Sequence, residues 1–295
     1  MTSNTTIKIQ RGFRGHIIAS NNDSSILLAR SLTESLIRNQ KFDRSDVLAG
    51  YLYAVSQNAN SFDKITTKIY QLVREDRVST EANATLTRQS LMIDSDAAAE
   101  LSLLVDSIYD GQTATCEPSK RSFPLAFCPF ISDDDLYDVS LEEAALTHSN
   151  PLAGQVAGLV NVICRALLKR TSWEQAVANA FKTPRLSQEV ASVNFIGFRT
   201  YSYQNNSDPS YAIEVLYKVL KVINDSKTFQ EAISSARNQN NCHILPLVGL
   251  LAGVQSDSDQ GLMGDTSHAT TFDTMRSLID NLGSQWPNVI VDIRA

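Results

Sequence analysis

The chain has 295 residues, 43% hydrophobic and 20% charged, enough for a sizeable core in one large domain or two small ones. Its 26 lysines and arginines stand against 32 aspartates and glutamates, a formal net charge of −6. A mildly acidic chain without a basic stripe argues against nucleic acid and against an anionic membrane surface as partners, since Lys and Arg supply much of that binding.

In chain order, Met1-Thr2-Ser3-Asn4-Thr5-Thr6 lacks the apolar run of a secretory leader, so no signal peptide is expected and the cytoplasm is the expected compartment. The spacing then predicts a helix over Ser24–Arg38, where Leu28, Leu32 and Leu36 share one face flanked by Ile26 and Ile37. Further helices are expected at Arg44–Val55, Phe62–Arg74 and Ala97–Tyr109, and a loop over Asp110–Ser122. Leu152–Lys169 carries Val156, Leu159, Val160, Ile163 and Leu167 at helical spacing. Ser172–Ala180, Tyr211–Ile223, Thr228–Arg237 and Thr271–Leu282 read as helices too, with loops over Thr200–Pro209 and Gln255–Thr270. The longest strongly apolar run, Ile244–Val254, is shorter than the roughly 20 residues that cross a bilayer. Trp286–Arg294 contains Val289-Ile290-Val291 and fits a short strand or an ordered tail, the tail being favoured. One compact all-α domain is the simplest reading.

Isolated chemical motifs read as structural. Cys116, Cys128, Cys164 and Cys242 lie far apart without a Cys-x-x-Cys pair, which fits reduced buried thiols. Cys242-His243 resembles half a metal site or a thiol with its base, but adjacent helical residues point about 100° apart. In Thr147-His148-Ser149-Asn150-Pro151, Ser149 or Asn150 is a cap and Pro151 a first-turn residue. Asp133-Asp134-Asp135 lacks the rest of a calcium loop, and Asp265-Thr266-Ser267-His268 lacks a nucleophile turn. Gly12 and Gly15 beside Arg11 and Arg14 show neither dinucleotide nor P-loop spacing.

Three blocks in order carry a family resemblance. The first is Asn22-Asp23-Ser24-Ser25-Ile26 through Ile37, then Phe42-Asp43 and Asp46. The second is Glu142-Glu143-Ala144-Ala145-Leu146-Thr147-His148-Ser149-Asn150-Pro151 with a small-residue helix after it. The third is the helix ending in Arg237-Asn238-Gln239-Asn240-Asn241-Cys242, followed by His243 to Gly253, rich in small residues. Together they resemble the ADP-ribosylglycohydrolase family, which includes lens crystallins that use the scaffold without the catalysis. The resemblance implies one ADP-ribosylglycohydrolase-like domain over residues 1–295, with 1–19 a variant N-terminal segment and 284–295 a C-terminal tail. Active relatives hold two magnesium ions on loops opened by Thr-Asp-Asp-Thr and Gly-Gly-Asp-x-Asp-Thr.

Here those loops have changed. The first motif falls on Asp23, Ser24, Ser25 and Ile26, or one residue earlier on Asn22, Asp23, Ser24 and Ser25, so at most one carboxylate survives. In the last motif the two aspartates become Asn240 and Cys242, and the threonine becomes His243. A family arginine before the middle proline, counted back from Pro129, reads Ala126, and Gly12-Phe13-Arg14-Gly15-His16 does not match the opening helix. Two magnesium ions bring a charge of about +4 and need several carboxylate oxygens. No metal site and no cofactor are therefore expected.

The expected role is a non-catalytic ligand-binding or structural protein. Asn22, Asp23, Ser24, Ser25, Asn240, Asn241, Cys242 and His243 would line a neutral polar cleft at two helix starts, suited to a nucleotide-sugar-like ligand. Two alternatives stand beside it. One is a hydrolase of an ADP-ribose-like glycosidic bond with altered residues, with magnesium under that alternative alone. The other is an assembly protein that uses the helical surface.

Overall fold

The computed structural model describes residues 3–20, 23–78, 87–193, 208–259, 262 and 269–287. Helix α1 (Asn4–Ser20) starts where the Ser3 hydroxyl accepts the Thr6 N–H. Helix α2 (Ser25–Asn39) ends at Gln40, whose left-handed backbone returns its N–H to the Leu36 carbonyl. Asp43 caps α3 (Arg44–Gln57) by accepting the Asp46 N–H, and α4 (Lys64–Val78) follows. Asp94 caps α5 (Ser95–Ile108) through the Asp96 and Ala97 amides.

Two short helices, α6 (Glu117–Arg121) and α7 (Pro124–Phe127), both open with Pro in the first turn. Helix α8 (Leu136–Ala145) leads to α9 (Pro151–Leu168), which Asn150 caps and Pro151 begins. Then come α10 (Trp173–Ala180), α11 (Gln188–Ala191), α12 (Ala212–Asn224) and α13 (Phe229–Arg237). Ser172, Ser187 and Thr228 cap α10, α11 and α13 through their hydroxyls. A 3₁₀ turn, Cys242–Ile244, runs into α14 (Leu245–Gln255), and α15 (Ala269–Ser284) closes the described chain.

Among the described residues there is no strand; Thr115 and Tyr211 form an isolated bridge. The expected helices are present. The expected loop over 110–122 instead contains α6, and α7 and α8 are further elements without an expected counterpart. The candidate strand Val289–Val291 and the Asp265–His268 motif lie outside the described residues. Of the expected tail, Trp286 is anchored: its indole N–H donates to the Phe127 carbonyl at 2.7 Å.

Helix α9 is the hub, packing against α6, α7, α8, α10, α12 and α14. By length and apolarity it could cross a bilayer, but 78% of it is buried inside the protein, which marks a core helix. Its buried Arg165 earns a structural place by donating to the carbonyls of Leu125, Ala126, Cys128 and Ile131 and to Asp133. On α12, the stripe Ile213, Leu216, Leu220 and Ile223 is fully covered, each side chain contributing about 1.5–3 kcal/mol of burial.

Helices α1 and α14 cross at backbone contact. A Cβ on Gly15 would lie 2.1 Å from the Gly249 carbonyl oxygen, and one on Gly253 would lie 2.4 Å from the Arg11 oxygen. Gly12 and Gly15 both lie inside a helix and face buried neighbours, Val254 and Phe127 for Gly12, Gly249 for Gly15, in keeping with their structural reading. The architecture is all-α in one compact domain. The start of α2, the short α6 and the turn before α14 are held next to one another by α9 and α1.

Candidate functional site

Asp23 sits in the turn between α1 and α2. Its N–H bonds the Ser20 carbonyl, and its Oδ1 accepts the Ser25 N–H at 2.8 Å. The start of α2 is thus capped by Asp23, while Ser24 makes no capping bond. The other oxygen, Oδ2, accepts from Lys120 Nζ at 2.8 Å. Lys120 also reaches Glu117 Oε1 at 2.7 Å, one turn back on α6. The same oxygen lies 3.6 Å from His243 Nδ1 in the turn before α14. Cys116 Sγ, Glu117 and His243 present ligand atoms within 4.8 Å of one another. A single chain of charge thus links the two motif loops through α6.

Lys120 is the centre of that chain. Its side chain is only 3% exposed. Burial alone would lower its ammonium, but the charges of Glu117 and Asp23 outweigh burial and hold it above its usual range. Burial alone would raise the Asp23 carboxyl, yet the Lys120 charge brings it down to about 2. The Cys116 thiol is pushed well up by burial. His16, on α1, gives Nε2 to the Lys120 carbonyl at 2.8 Å and stacks on Phe123. Burial lowers its imidazole to about 4. His16 Nδ1 and Ser119 Oγ are buried without a hydrogen-bond partner.

The sequence-expected residues divide. Asn22 lies outside the described residues. Asp23 and His243 enter the cluster, and Ser25 lies buried at its edge. Ser24 only forms the first turn of α2. Asn240 is exposed and takes a left-handed backbone, φ 52°, which closes the loop. Asn241 uses both ends of its amide structurally, accepting the His243 N–H and donating to the Pro209 carbonyl. Cys242 is exposed, against the expectation of a buried thiol, and it does not belong to the metal-competent group. The expectation of neutral groups at these helix starts also fails: two carboxylates and a buried ammonium come together there.

Cys116, Glu117 and Lys120 escaped the sequence reading because 110–122 read as a loop. Two signals were available. Glu117-Pro118 followed by Lys120-Arg121 has acid and proline at the start and bases at the end, a helix signature. The Arg-x-x-Pro spacing counted from Pro124, in place of Pro129, falls on Arg121. Ala126 is a covered residue of α7.

Arg121 has no access to the cleft. It pairs with Glu143 Oε1 at 2.7 Å, both side chains being 0% exposed. Tyr51 donates to the same oxygen, Arg121 donates to Thr147 Oγ1, and Thr147 meets His148 Nδ1. His148 Nε2 contacts Thr115 Oγ1 at 3.0 Å. Burial lowers this imidazole to about 3, so it is neutral and structural. The network rivets α6 to α3 and to the turn before α9.

The residues do not fit a pair of magnesium ions. Among the described residues, the carboxylates of the cluster are Asp23 and Glu117, both bound to Lys120, with Asp208 close enough to His243 to interact with its charge. Magnesium gives up its water reluctantly, and two ions would need far more carboxylate charge than two acids partly offset by an ammonium provide.

A family profile described as ADP-ribosylglycohydrolase matches residues 9–253, from within α1 to within α14. A solved structure titled "ADP-ribosylglycohydrolase-related protein complex" is similar in fold, with a TM-score of 0.66 and 16% identity. That likeness covers 95% of this chain and 98% of the other. A search of curated proteins gives no match.

Proposed function

The chain belongs to the ADP-ribosylglycohydrolase family, and from that premise we propose that it keeps the framework without dinuclear magnesium hydrolysis. The hollow between the start of α2 and the turn before α14 serves in its place as a ligand-binding or structural site. One observation carries this reading: the buried ammonium of Lys120 sits between the two motif loops and binds both nearby carboxylates. The protein's own cation occupies the charge that relatives give to metal.

The ligand class is polar and nucleotide-sugar-like. Ser119 Oγ and His16 Nδ1, buried without partners near Lys120, support that choice. The unpaired cysteines suit a reducing, cytoplasmic compartment. Incubation with peptides ADP-ribosylated on arginine and on serine, with magnesium, is the test. No release of ADP-ribose above the uncatalysed rate is expected; robust release refutes the reading. A hydrolase with altered chemistry is disfavoured because Asp23, its motif acid, is held ionised and bound to Lys120.

The assembly reading has an observation of its own. Leu103, Leu104 and Ile108 of α5 are 62%, 49% and 46% exposed, a surface of the kind that marks contacts. Light scattering separates the two: a concentration-independent monomer removes the assembly reading.

A further inference from the structure

Cys116, Glu117 and His243 form a group in which only His243 stands at a former magnesium-motif position; Cys116 and Glu117 belong to neither motif. Cys116 precedes α6 and Glu117 is its first residue, while His243 comes from the 3₁₀ turn before α14. Elements more than a hundred residues apart thus bring a sulfur, a carboxylate oxygen and an imidazole nitrogen to within 4.8 Å of one another.

We propose that these three side chains bind a single borderline divalent transition-metal ion, zinc foremost, and leave one coordination position open. The donor set supports zinc over magnesium. A thiolate and an imidazole suit a borderline-soft ion, whereas magnesium takes oxygen. The spacing supports it as well. Tetrahedral zinc, with bonds of about 2.0–2.3 Å, sets its ligand atoms roughly 3.3–3.7 Å apart. His243 Nδ1 and Glu117 Oε1 are 3.6 Å apart, and the remaining donors, all within 4.8 Å of one another, need to close by about 1.5 Å at most.

Charge balances too. The Cys116 thiol releases its proton to solvent as the ion binds. Thiolate and carboxylate then offset the ion, and Lys120 and Asp23 offset each other. Glu117 keeps Lys120 while holding metal, because a carboxylate offers about four acceptor positions. Lys120 thereby orients a metal ligand. The backbone holds the site in place. The Cys116 N–H bonds the Ser210 carbonyl at 2.8 Å, and Asn241 Oδ1 takes the His243 N–H at 3.0 Å. Three protein ligands and an open position describe a site that accepts water or a donor atom of a ligand.

The exposed Cys242 beside His243 provides the control, since a surface thiol pair would use it. The full chain, stripped with a chelator, is titrated with zinc against a chromophoric competitor and with cobalt(II) by absorption. One equivalent with a Kd below about 1 µM is expected, with a thiolate-to-cobalt charge-transfer band in the near ultraviolet. Cys116→Ser abolishes the band, Glu117→Gln and His243→Gln each weaken zinc by at least about tenfold, and Cys242→Ser changes neither. His243, being partly exposed, gives a variant that folds even if Cys116→Ser does not. Absence of saturable binding overturns the proposal, as does a band that survives Cys116→Ser but disappears in Cys242→Ser. The assay contains neither substrate nor magnesium, so its outcome is independent of the function proposed above.

Discussion

At the scale of single residues, Lys120 decides the character of the site. Replacing it by methionine leaves Asp23 and Glu117 in a half-buried hollow with no counter-charge. Removing one partner of a buried pair costs about 3–5 kcal/mol, so Lys120→Met is expected to lose roughly 3 kcal/mol because Asp23 keeps some solvent. Urea denaturation reads the loss, and adding Asp23→Asn to the same chain restores part of it. None of this was visible locally, since Lys120 and Asp23 are 97 positions apart; Asp23 was found only through its motif. His16 supplies a pH signature. Burial takes its imidazole from 6.5 down to about 4. The unfolded chain binds this proton as pH falls through about 6.5, while the folded chain binds it only near 4. The unfolded state then carries more protons across that window, so stability falls as pH falls, by about 3 kcal/mol in all. His16→Gln is expected to flatten the slope between those two pH values. Equal slopes in urea midpoints for the two proteins would remove His16 from the explanation.

Among the helices, the α1–α14 crossing admits no side chain where the backbones meet. A Cβ at Gly249 falls 2.1 Å from the Gly15 oxygen, with backbone and not a flexible side chain in the way. Gly249→Ala is therefore expected to cost more than about 3 kcal/mol, as an overpacked core does at its worst. Gly154 on α9 is the counter-case, for its added Cβ meets nothing nearer than 3.4 Å. Gly154→Ala should stay within about 1 kcal/mol of the parent, helped by the better helix propensity of alanine. Thermal unfolding of the pair compares them directly, and equal midpoints would mean that the crossing yields. The same elements explain what the sequence disclosed. α2, α9 and α12 announce themselves by an apolar stripe. α6 and α7, with five and four residues, are too short for a period to show. α8 buries Ser140 and Glu143 on its inner face, and α1 buries Lys8, Gly12, Gly15 and His16, so polar and small residues hide both stripes.

The molecule as a whole presents a family framework in which a cation and a second acid stand between the start of α2 and the turn before α14. Motif order alone disclosed the framework, because it depends on helices laid down in sequence. The rest of the site stayed hidden, because Lys120 meets Asp23 and Glu117 nears His243 only when α6 is set against the loops before α2 and α14. Binding linkage turns this difference into a measurement on the intact chain. An ion that binds only the folded state adds about 2.7 kcal/mol of stability at one hundred times its Kd. A retained magnesium pair would therefore raise the unfolding midpoint by several degrees at about 10 mM magnesium. With Lys120 already pairing with Asp23 and Glu117, the expected shift is within about 1 °C of a control matched in ionic strength. In Lys120→Met the two carboxylates lose their ammonium, and a dose-dependent rise with magnesium should emerge. A rise of the same size in the unaltered chain would show that the ammonium gives way to metal, and the reading of a site held by the protein's own cation would fall with it.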